Sequence, residues 1–154
     1  MNRFEFDSPI GCIAVEDNSV EITAVRFLKS KAAENVCKAS QIGEEAKRQL
    51  DEYFSGKRKS FELPILMNGT DFQKQVWNEL MNIPYGEVCS YKDIAVRIGN
   101  PKAFRAVGGA NNKNCIPIII PCHRVIGSGG KLVGYRDGTE IKEFLINLEK
   151  GNIG

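Results

Sequence analysis

A cysteine and the only histidine of this chain are neighbours, at Cys122 and His123, and a single proline separates them from an apolar run of three isoleucines. A free thiol has a pKa of about 8.5 and is mostly protonated at neutral pH, but a nearby imidazole can accept its proton and leave a nucleophilic thiolate. A purely structural role is also compatible with the pair, because free cysteine is among the most buried residue types. The dipeptide suggests a cysteine nucleophile, and the surrounding residues are needed to decide between this role and a structural one.

The five cysteines of the chain predict neither a disulfide framework nor a metal site, because their number is odd and no two form a Cys-x-x-Cys pair. A mixed site is also disfavoured by the single histidine, so we predict no metal and no cofactor. The amino terminus lacks the apolar segment of a signal peptide, and no stretch approaches the roughly 18 apolar residues of a transmembrane helix. We therefore expect a cytoplasmic protein without a membrane partner.

Charge is distributed unevenly, although the formal net charge is only +2. Residues 1–62 contain ten Lys or Arg against eleven Asp or Glu, whereas residues 63–154 contain eleven against eight. Between Lys92 and Lys113 five basic residues accompany one acidic residue, Asp93. Such a stripe could contact phosphates, and an ordinary solvated face would have the same composition.

The first part of the chain has the pattern of a small domain in which a helix covers a sheet. Three segments alternate in polarity or are rich in β-branched residues, which predicts an antiparallel meander. The predicted strands are 3–7, 11–16 and 20–27. Apolar residues at helical spacing over 42–54 predict a covering helix that ends at Gly56. We place an N-terminal α/β domain at 1–62 and a mainly helical C-terminal domain at 63–154, which gives an α+β fold.

Helix signals are clearer in the second domain. Thr70 with Gln73 and Ser90 with Asp93 have the spacing of capping boxes. An Asn-Pro pair at 100–101 predicts a further helix over about 102–112, with asparagine as its N-cap. Two short helices joined by a tight glycine turn predict a helix-turn-helix, whose second helix would be the recognition helix.

The predicted recognition helix is poor in side chains. Its two adjacent glycines each cost a helix about 1 kcal/mol relative to alanine, so some contact must compensate. Two explanations are possible. The backbone could approach a partner closely, or the helix could pack tightly on the apolar strand that follows. The small residues are Ala103, Ala106, Gly108, Gly109 and Ala110.

Around the cysteine, the residues resemble a known family. The segment Ile-Ile-Pro-Cys-His-Arg-Val-Ile at 119–126, preceded by Asn-Pro-Lys-Ala at 100–103 and Arg-Ala-Val-Gly-Gly-Ala at 105–110, is similar to the O6-alkylguanine-DNA alkyltransferases. The resemblance covers about 70–151, whereas residues 1–62 are similar only in size and outline.

The resemblance implies DNA repair by a protein that is consumed in its reaction. Cys122 would attack the alkyl carbon on guanine O6 and keep the alkyl group. His123 would remove the thiol proton through a bound water, and Glu149 would hold and charge the imidazole. Asn114 would brace the active-site turn, and Tyr91 would protonate the departing guanine at a ring nitrogen.

The resemblance also implies the partner, which is double-stranded DNA containing O6-alkylguanine, bound by a monomer through the minor groove. Arg105 would fill the space left by the flipped-out nucleotide. The degenerate chemical pattern of the minor groove suits a protein that must act at any sequence. The other DNA-binding residues implied are Ser90, Lys102, Ala103, Ala106, Gly108 and Gly109.

The residues implied to line the substrate pocket are Val125, Tyr135, Arg136, Asp137 and Gly138. Two positions depart from the pattern of the family. Asp137 puts a charge where a glycine is usual, which predicts normal reaction with methyl but poor reaction with a bulky apolar group such as benzyl. Phe104, next to Arg105, is bulkier than expected and is predicted either to lie on the buried side or to alter the contact with the groove.

Other functions fit parts of this pattern. A regulator or a non-catalytic sensor of alkylated DNA would need only the helix-turn-helix, but sensors of this type lack the reactive cysteine that stands here with His123 and Glu149. A cysteine hydrolase or redox protein would use the thiol, but the chain has no Cys-x-x-Cys arrangement. The resemblance therefore favours alkyl transfer.

Overall fold

The structure is a computed structural model of the chain and describes residues 1–28, 39–130 and 138–152. The chain divides into two compact units, Met1–Met67 and Asn68–Gly154. The first contains a small antiparallel sheet with a helix, and the second is mainly helical, so the predicted α+β fold class is confirmed. Within the described ranges, every helix is too short or too polar to span a lipid bilayer.

The first unit is built on three antiparallel strands in the order β1-β2-β3. They are β1 (Asn2–Ser8), β2 (Gly11–Asp17) and β3 (Ile22–Leu28). The turn between β2 and β3 is held by Asn18, whose side-chain oxygen accepts the backbone N–H of Val20 at 2.9 Å and of Glu21 at 2.7 Å. The predicted meander is confirmed, with strand ends that differ from the predicted ones by one or two residues.

Helix α1 (Gln41–Phe54) packs on β1 and β2 and covers the sheet, as predicted. It begins after Ser40, whose hydroxyl accepts the backbone N–H of Gly43 at 3.0 Å. It ends just before Gly56, which has φ +79°, a conformation that glycine adopts without steric cost.

The second unit brings helices and short strands together around the Cys-His pair. Its helices are α2 (Asp71–Leu80), α3 (Tyr91–Arg97), α4 (Phe104–Asn112) and α5 (Thr139–Gly151). The strands β4 (Cys89–Ser90) and β5 (Val125–Ile126) pair in parallel, and 3-10 turns occupy Cys122–Arg124 and Ser128–Gly130.

Both predicted capping boxes are present. The hydroxyl of Thr70 accepts the N–H of Gln73 at 3.1 Å, and the Gln73 side chain accepts the N–H of Thr70 at 2.9 Å. Ser90 and Asp93 make the same reciprocal pair, with both distances at 3.0 Å. Local sequence therefore determines where α2 and α3 begin.

The predicted start of α4 is wrong. Residues 100–103 form a turn, closed by the N–H of Ala103 and the carbonyl of Asn100 at 3.0 Å, and the helix begins only at Phe104. Proline fixes φ near −65°, which suits the second position of a β-turn as well as the first position of a helix. Lys102 and Ala103 therefore lie in front of the helix rather than on it.

The two explanations for the small residues of α4 apply to different sides of the helix. Val107 and Ala110 are buried where α4 packs on α2 and α3, and the Trp77 indole N–H donates to the Ala110 carbonyl at 2.9 Å. Ala106 and Gly109 are exposed. The use of α3 and α4 as a DNA-binding helix-turn-helix stays a prediction.

Candidate active site

Cys122 is the first residue of a 3-10 turn that follows the apolar segment, and its side chain is buried. Its backbone N–H donates to the carbonyl of Ile120 at 2.8 Å. Asn114 holds the same carbonyl, because its Nδ2 donates to Ile120 at 2.9 Å while its Oδ1 accepts the N–H of Ile116 at 2.9 Å. These are contacts that a residue bracing the turn would make.

The backbone leading to the turn is strained at Ile118, which has φ +73°. A β-branched residue rarely adopts this conformation, and the strain costs about 1–3 kcal/mol. The side chain of Ile118 is almost completely buried, and burial of this size offsets a cost of that order. Packing of the isoleucine run therefore helps to fix the shape of the segment that presents Cys122.

His123 is completely buried, and its Nε2 lies 2.6 Å from Oε2 of Glu149. Because a carboxylate only accepts hydrogen bonds, this contact places the ring proton on Nε2 and the lone pair on Nδ1. Among the described residues, Nδ1 has no hydrogen-bond partner. Burial lowers the pKa of His123 below its ordinary 6.5 and outweighs the opposing effect of Glu149, so the imidazole is neutral at neutral pH.

Glu149 is also buried, and besides the neutral imidazole of His123 it is held by a cation, Arg124. The guanidinium of Arg124 donates to both of its oxygens, at 2.8 and 3.1 Å, and to the carbonyl of Ile83 at 2.7 Å. Burial raises the pKa of Glu149, but the hydrogen bonds from His123 and Arg124 together outweigh it and lower the pKa to about 2. No role was assigned to Arg124 from the sequence, where its place beside the Cys-His pair was the only signal.

Lys142 is a further buried charge that the sequence did not assign to the site. Its Nζ lies 5.8 Å from the ring centre of Tyr91. Burial lowers the pKa of Lys142 to about 8, and the negative charge of a Cys122 thiolate opposes that change. Burial, and then the charge of Cys122, raise the pKa of the Tyr91 phenol. Both groups are therefore close enough to the sulfur to respond to its charge.

Asn111, on the buried side of α4, is another residue that sequence reasoning missed. Its Nδ2 lies 3.4 Å from the carbonyl of Cys122, and its side chain lowers the pKa of the Tyr91 phenol, against the larger effect of burial. Asn111 thus interacts with both Tyr91 and Cys122. No signal in the sequence distinguishes Asn111 from Asn112, which is exposed.

The residues expected to bind DNA lie in and around α4. Arg105, Lys102, Ala106 and Gly109 are exposed, Ala103 is half-buried, and Ser90 caps α3. Gly108 is half-buried, and a Cβ atom there would come within 3.9 Å of the Tyr91 ring. Phe104 is exposed, which excludes the first of its two predicted placements, on the buried side, and leaves an altered contact with the groove as a prediction.

Only part of the expected substrate pocket can be placed. Val125 is completely buried in β5, paired with Cys89 of β4, and Gly138 precedes α5 with φ +105°. Tyr135, Arg136 and Asp137 lie outside the described residues. The effect of Asp137 on the size of the pocket therefore stays a prediction.

Family models match the chain in two successive segments. The model described as 6-O-methylguanine DNA methyltransferase, ribonuclease-like domain, matches residues 5–67, and that described as 6-O-methylguanine DNA methyltransferase, DNA binding domain, matches residues 71–151. The chain belongs to this family. The first match also corrects the expectation that residues 1–62 resemble the family only in size and outline.

Individual proteins agree with the family models. The methylated-DNA–protein-cysteine methyltransferase of Methanosarcina barkeri is 53% identical over 151 residues, which are 96% of this chain and 96% of that protein. The constitutive methylated-DNA–protein-cysteine methyltransferase of Bacillus subtilis is 58% identical over 107 residues, 69% of this chain and 65% of that protein. A crystal structure of Mycobacterium tuberculosis OGT in complex with DNA has a TM-score of 0.90 at 42% identity, covering 99% of this chain and 94% of that chain.

Membership of the family gives the general function. The protein is a DNA-repair methyltransferase that binds DNA and transfers an alkyl group to a cysteine of its own chain. The interpretations as a non-catalytic sensor and as a hydrolase or redox protein lose their support.

Proposed function

We propose that Cys122 takes the alkyl group directly from guanine O6 in duplex DNA. The thiolate sulfur attacks the alkyl carbon, the carbon–O6 bond breaks as the carbon–sulfur bond forms, and the electron pair stays with the guanine. The product is a thioether, so each protein molecule reacts once, and the step balances without a metal or a cofactor. The observation that carries the proposal is a buried cysteine followed by a neutral histidine that a carboxylate holds through Nε2.

His123 is the base in this proposal. Its lone pair is on Nδ1, and a water between Nδ1 and the sulfur passes the thiol proton to the ring. The lowered pKa of His123 supports this role, because the ring is neutral and able to accept a proton at neutral pH. The negative charge of Glu149 then stabilises the imidazolium, and Arg124 keeps Glu149 ionised and in place.

Tyr91 is the acid. The raised pKa of its phenol keeps the proton on the oxygen until the leaving guanine accepts it at a ring nitrogen. The ammonium group of Lys142, close to the Tyr91 ring, would favour both the thiolate of Cys122 and the negative charge that develops on the phenol. Asn114 holds the turn that aims the sulfur.

The DNA substrate is duplex DNA containing O6-alkylguanine, which a monomer binds in the cytoplasm through the minor groove. The exposed side of α4 supports this docking, because Ala106 and Gly109 leave its backbone accessible while Arg105 projects. Arg105 takes the place of the flipped-out nucleotide. Its positive charge and length suit the gap in a stack that is surrounded by phosphates.

The proposal is tested with a duplex that contains a single O6-methylguanine. After mixing, intact and peptide masses should show one added methyl on the peptide containing Cys122, and the reaction should stop at one equivalent. The same duplex with guanine in place of O6-methylguanine is the control and should add nothing. Sustained turnover, or a methyl on another cysteine, would contradict the proposal.

A further inference from the structure

Phe104 is an exposed aromatic residue at the first position of α4. It is 44% exposed, whereas phenyl rings usually gain stability from burial. It lies next to Arg105, whose guanidinium carbon is 6.0 Å from the ring centre. A single exposed ring is common on protein surfaces, so its neighbours decide whether it has a role.

The ring borders a cavity of about 240 Å³. Among the described residues, the cavity is lined by Ser90, Tyr91, Lys92 and Phe104. Tyr91 is the proposed acid, so the cavity adjoins the reaction centre. Its volume is below the roughly 300 Å³ at which sites for drug-sized ligands begin.

Positive charge surrounds the ring in the sequence and at the cavity. Lys102 and Arg105 lie within two residues of Phe104 in the chain, Lys92 lines the cavity, and all three are exposed. Exposed Lys and Arg side chains attract the phosphates of nucleic acid. A flat apolar ring among cations is therefore matched to a DNA base between its phosphates, rather than to an apolar protein surface.

We propose that Phe104 is a second wedge beside Arg105, and that its ring stacks on the base next to the flipped-out nucleotide and holds the gap open. Minor-groove proteins insert apolar side chains between base steps in this way. Stacking on an aromatic ring is possible for every base, so the contact keeps binding independent of sequence. The inference rests on the proposed function, because it requires α4 to meet the duplex at the damaged base.

The test compares methyl transfer from a damaged duplex with transfer from free O6-methylguanine. Phe104→Ala should slow the duplex reaction about tenfold or more, which is the effect of losing one stacking contact. It should leave the reaction with the free base unchanged, because the free base has no stack to open. Phe104→Trp should retain the duplex rate, since indole also stacks.

Phe144→Ala is the matched control, because Phe144 is 37% exposed on α5 and is not assigned to the site. It should change neither rate. Unchanged rates in Phe104→Ala would overturn the inference, and so would equal slowing on the two substrates, which would mean that the ring supports the active site. If the parent protein puts no methyl on Cys122, the proposed function fails, and the inference fails with it. If the parent reacts but Phe104→Ala behaves like the parent, only the inference fails.

Fluorescence gives a second measurement that does not depend on reaction. In a Cys122→Ser background, Phe104→Trp should lose more indole fluorescence on binding a damaged duplex than the same protein with Phe104, in which the buried Trp77 is the only indole. Stacking on a base quenches indole emission. Equal changes in the two proteins would contradict a stacked ring.

Discussion

Asp17 in the first unit and Glu149 in the second are both almost completely buried carboxylates, and they are held by different kinds of donor. In the first unit, Asp17 accepts hydrogen bonds from the amide of Asn2 at 2.8 Å, the backbone of Ser19 at 2.9 Å and the hydroxyl of Ser40 at 2.7 Å. Burial raises the pKa of Asp17, but these neutral donors together lower it below its ordinary value. Because Ser40 caps α1, Asp17 ties the end of β2 to the start of the helix.

Glu149, in the second unit, accepts hydrogen bonds from a guanidinium and from an imidazole. The imidazole can itself gain a proton, and among the described residues its other nitrogen has no partner. The comparison shows that a buried carboxylate is not in itself a sign of chemistry. In the proposed function, Glu149 has such a role because a donor to it, His123, can change charge by taking a proton on its second ring nitrogen.

The largest expected effect comes from removing the thiol of Cys122, the proposed nucleophile. We call Glu149 with His123 and Arg124 the Glu149 cluster. Cys122→Ser should abolish methyl transfer while DNA affinity stays within about twofold, because in the proposed binding mode phosphate contacts and α4 supply the affinity. Methyl incorporation and a DNA titration measure the two quantities. A parallel loss of DNA affinity would mean that Cys122 also stabilises the fold, as Asp17 does.

A smaller effect is expected from Arg105→Ala. This variant tests the role of the exposed side of α4 and leaves the buried residues around Glu149 unchanged. It should slow repair of the duplex by about a hundredfold, since flipping a base costs a few kcal/mol. Reaction with free O6-methylguanine should be nearly unchanged. Equal losses on the two substrates would rule out the role of Arg105 in filling the gap.

The comparison can be sharpened by acid unfolding of Glu149→Gln. The pKa of Glu149 is about 2 in the folded protein and ordinarily 4.5, so its contribution to stability is complete above pH 4.5 and is lost as the pH falls towards 2. The variant should therefore lose less stability than the parent across that interval. The folded protein also loses stability below pH 6.5, because buried His123 resists protonation. The variant should keep this second loss of stability. Identical curves, followed by circular dichroism, would show that Glu149 is not held as described.

The smallest effect is expected from Asp17→Asn, which keeps the shape of the carboxylate but removes its charge. Hydrogen bonds to a charged group are worth about 1.5–3 kcal/mol, so the free energy of unfolding should fall by about 2 kcal/mol. Urea unfolding measures the change. Ser40→Ala is the matched comparison, because it removes one of the same hydrogen bonds together with the cap of α1.

Those parts of the fold that depend on neighbouring residues were predictable from the sequence. The capping boxes at Thr70 and Ser90 work within four residues, and both are present. The end of α1 at Gly56 is equally local. The start of α4 was not predictable, because Asn-Pro suits both a helix start and a turn.

The candidate site divides in the same way. Cys122 and His123 are adjacent in the chain, and the resemblance supplied Glu149. The burial of Arg124 and Lys142 was not predictable, because charged side chains are usually exposed and only the packing of α5 places Lys142 near Tyr91. The role of Asp17 was not predicted, since two of its three donors, Asn2 and Ser40, come from distant parts of the chain.

The most direct test of the central claim is the rate of methyl transfer to Cys122 in the parent, Glu149→Gln and Asp17→Asn, measured with an excess of the damaged duplex at a temperature where all three are folded by circular dichroism. Glu149→Gln should be at least about a hundredfold slower, which is the size of a general-base contribution, while Asp17→Asn should keep the rate of the parent within about twofold. A parental rate in Glu149→Gln, or equal slowing in both variants, would contradict the claim that the Glu149 cluster is built for proton transfer from Cys122.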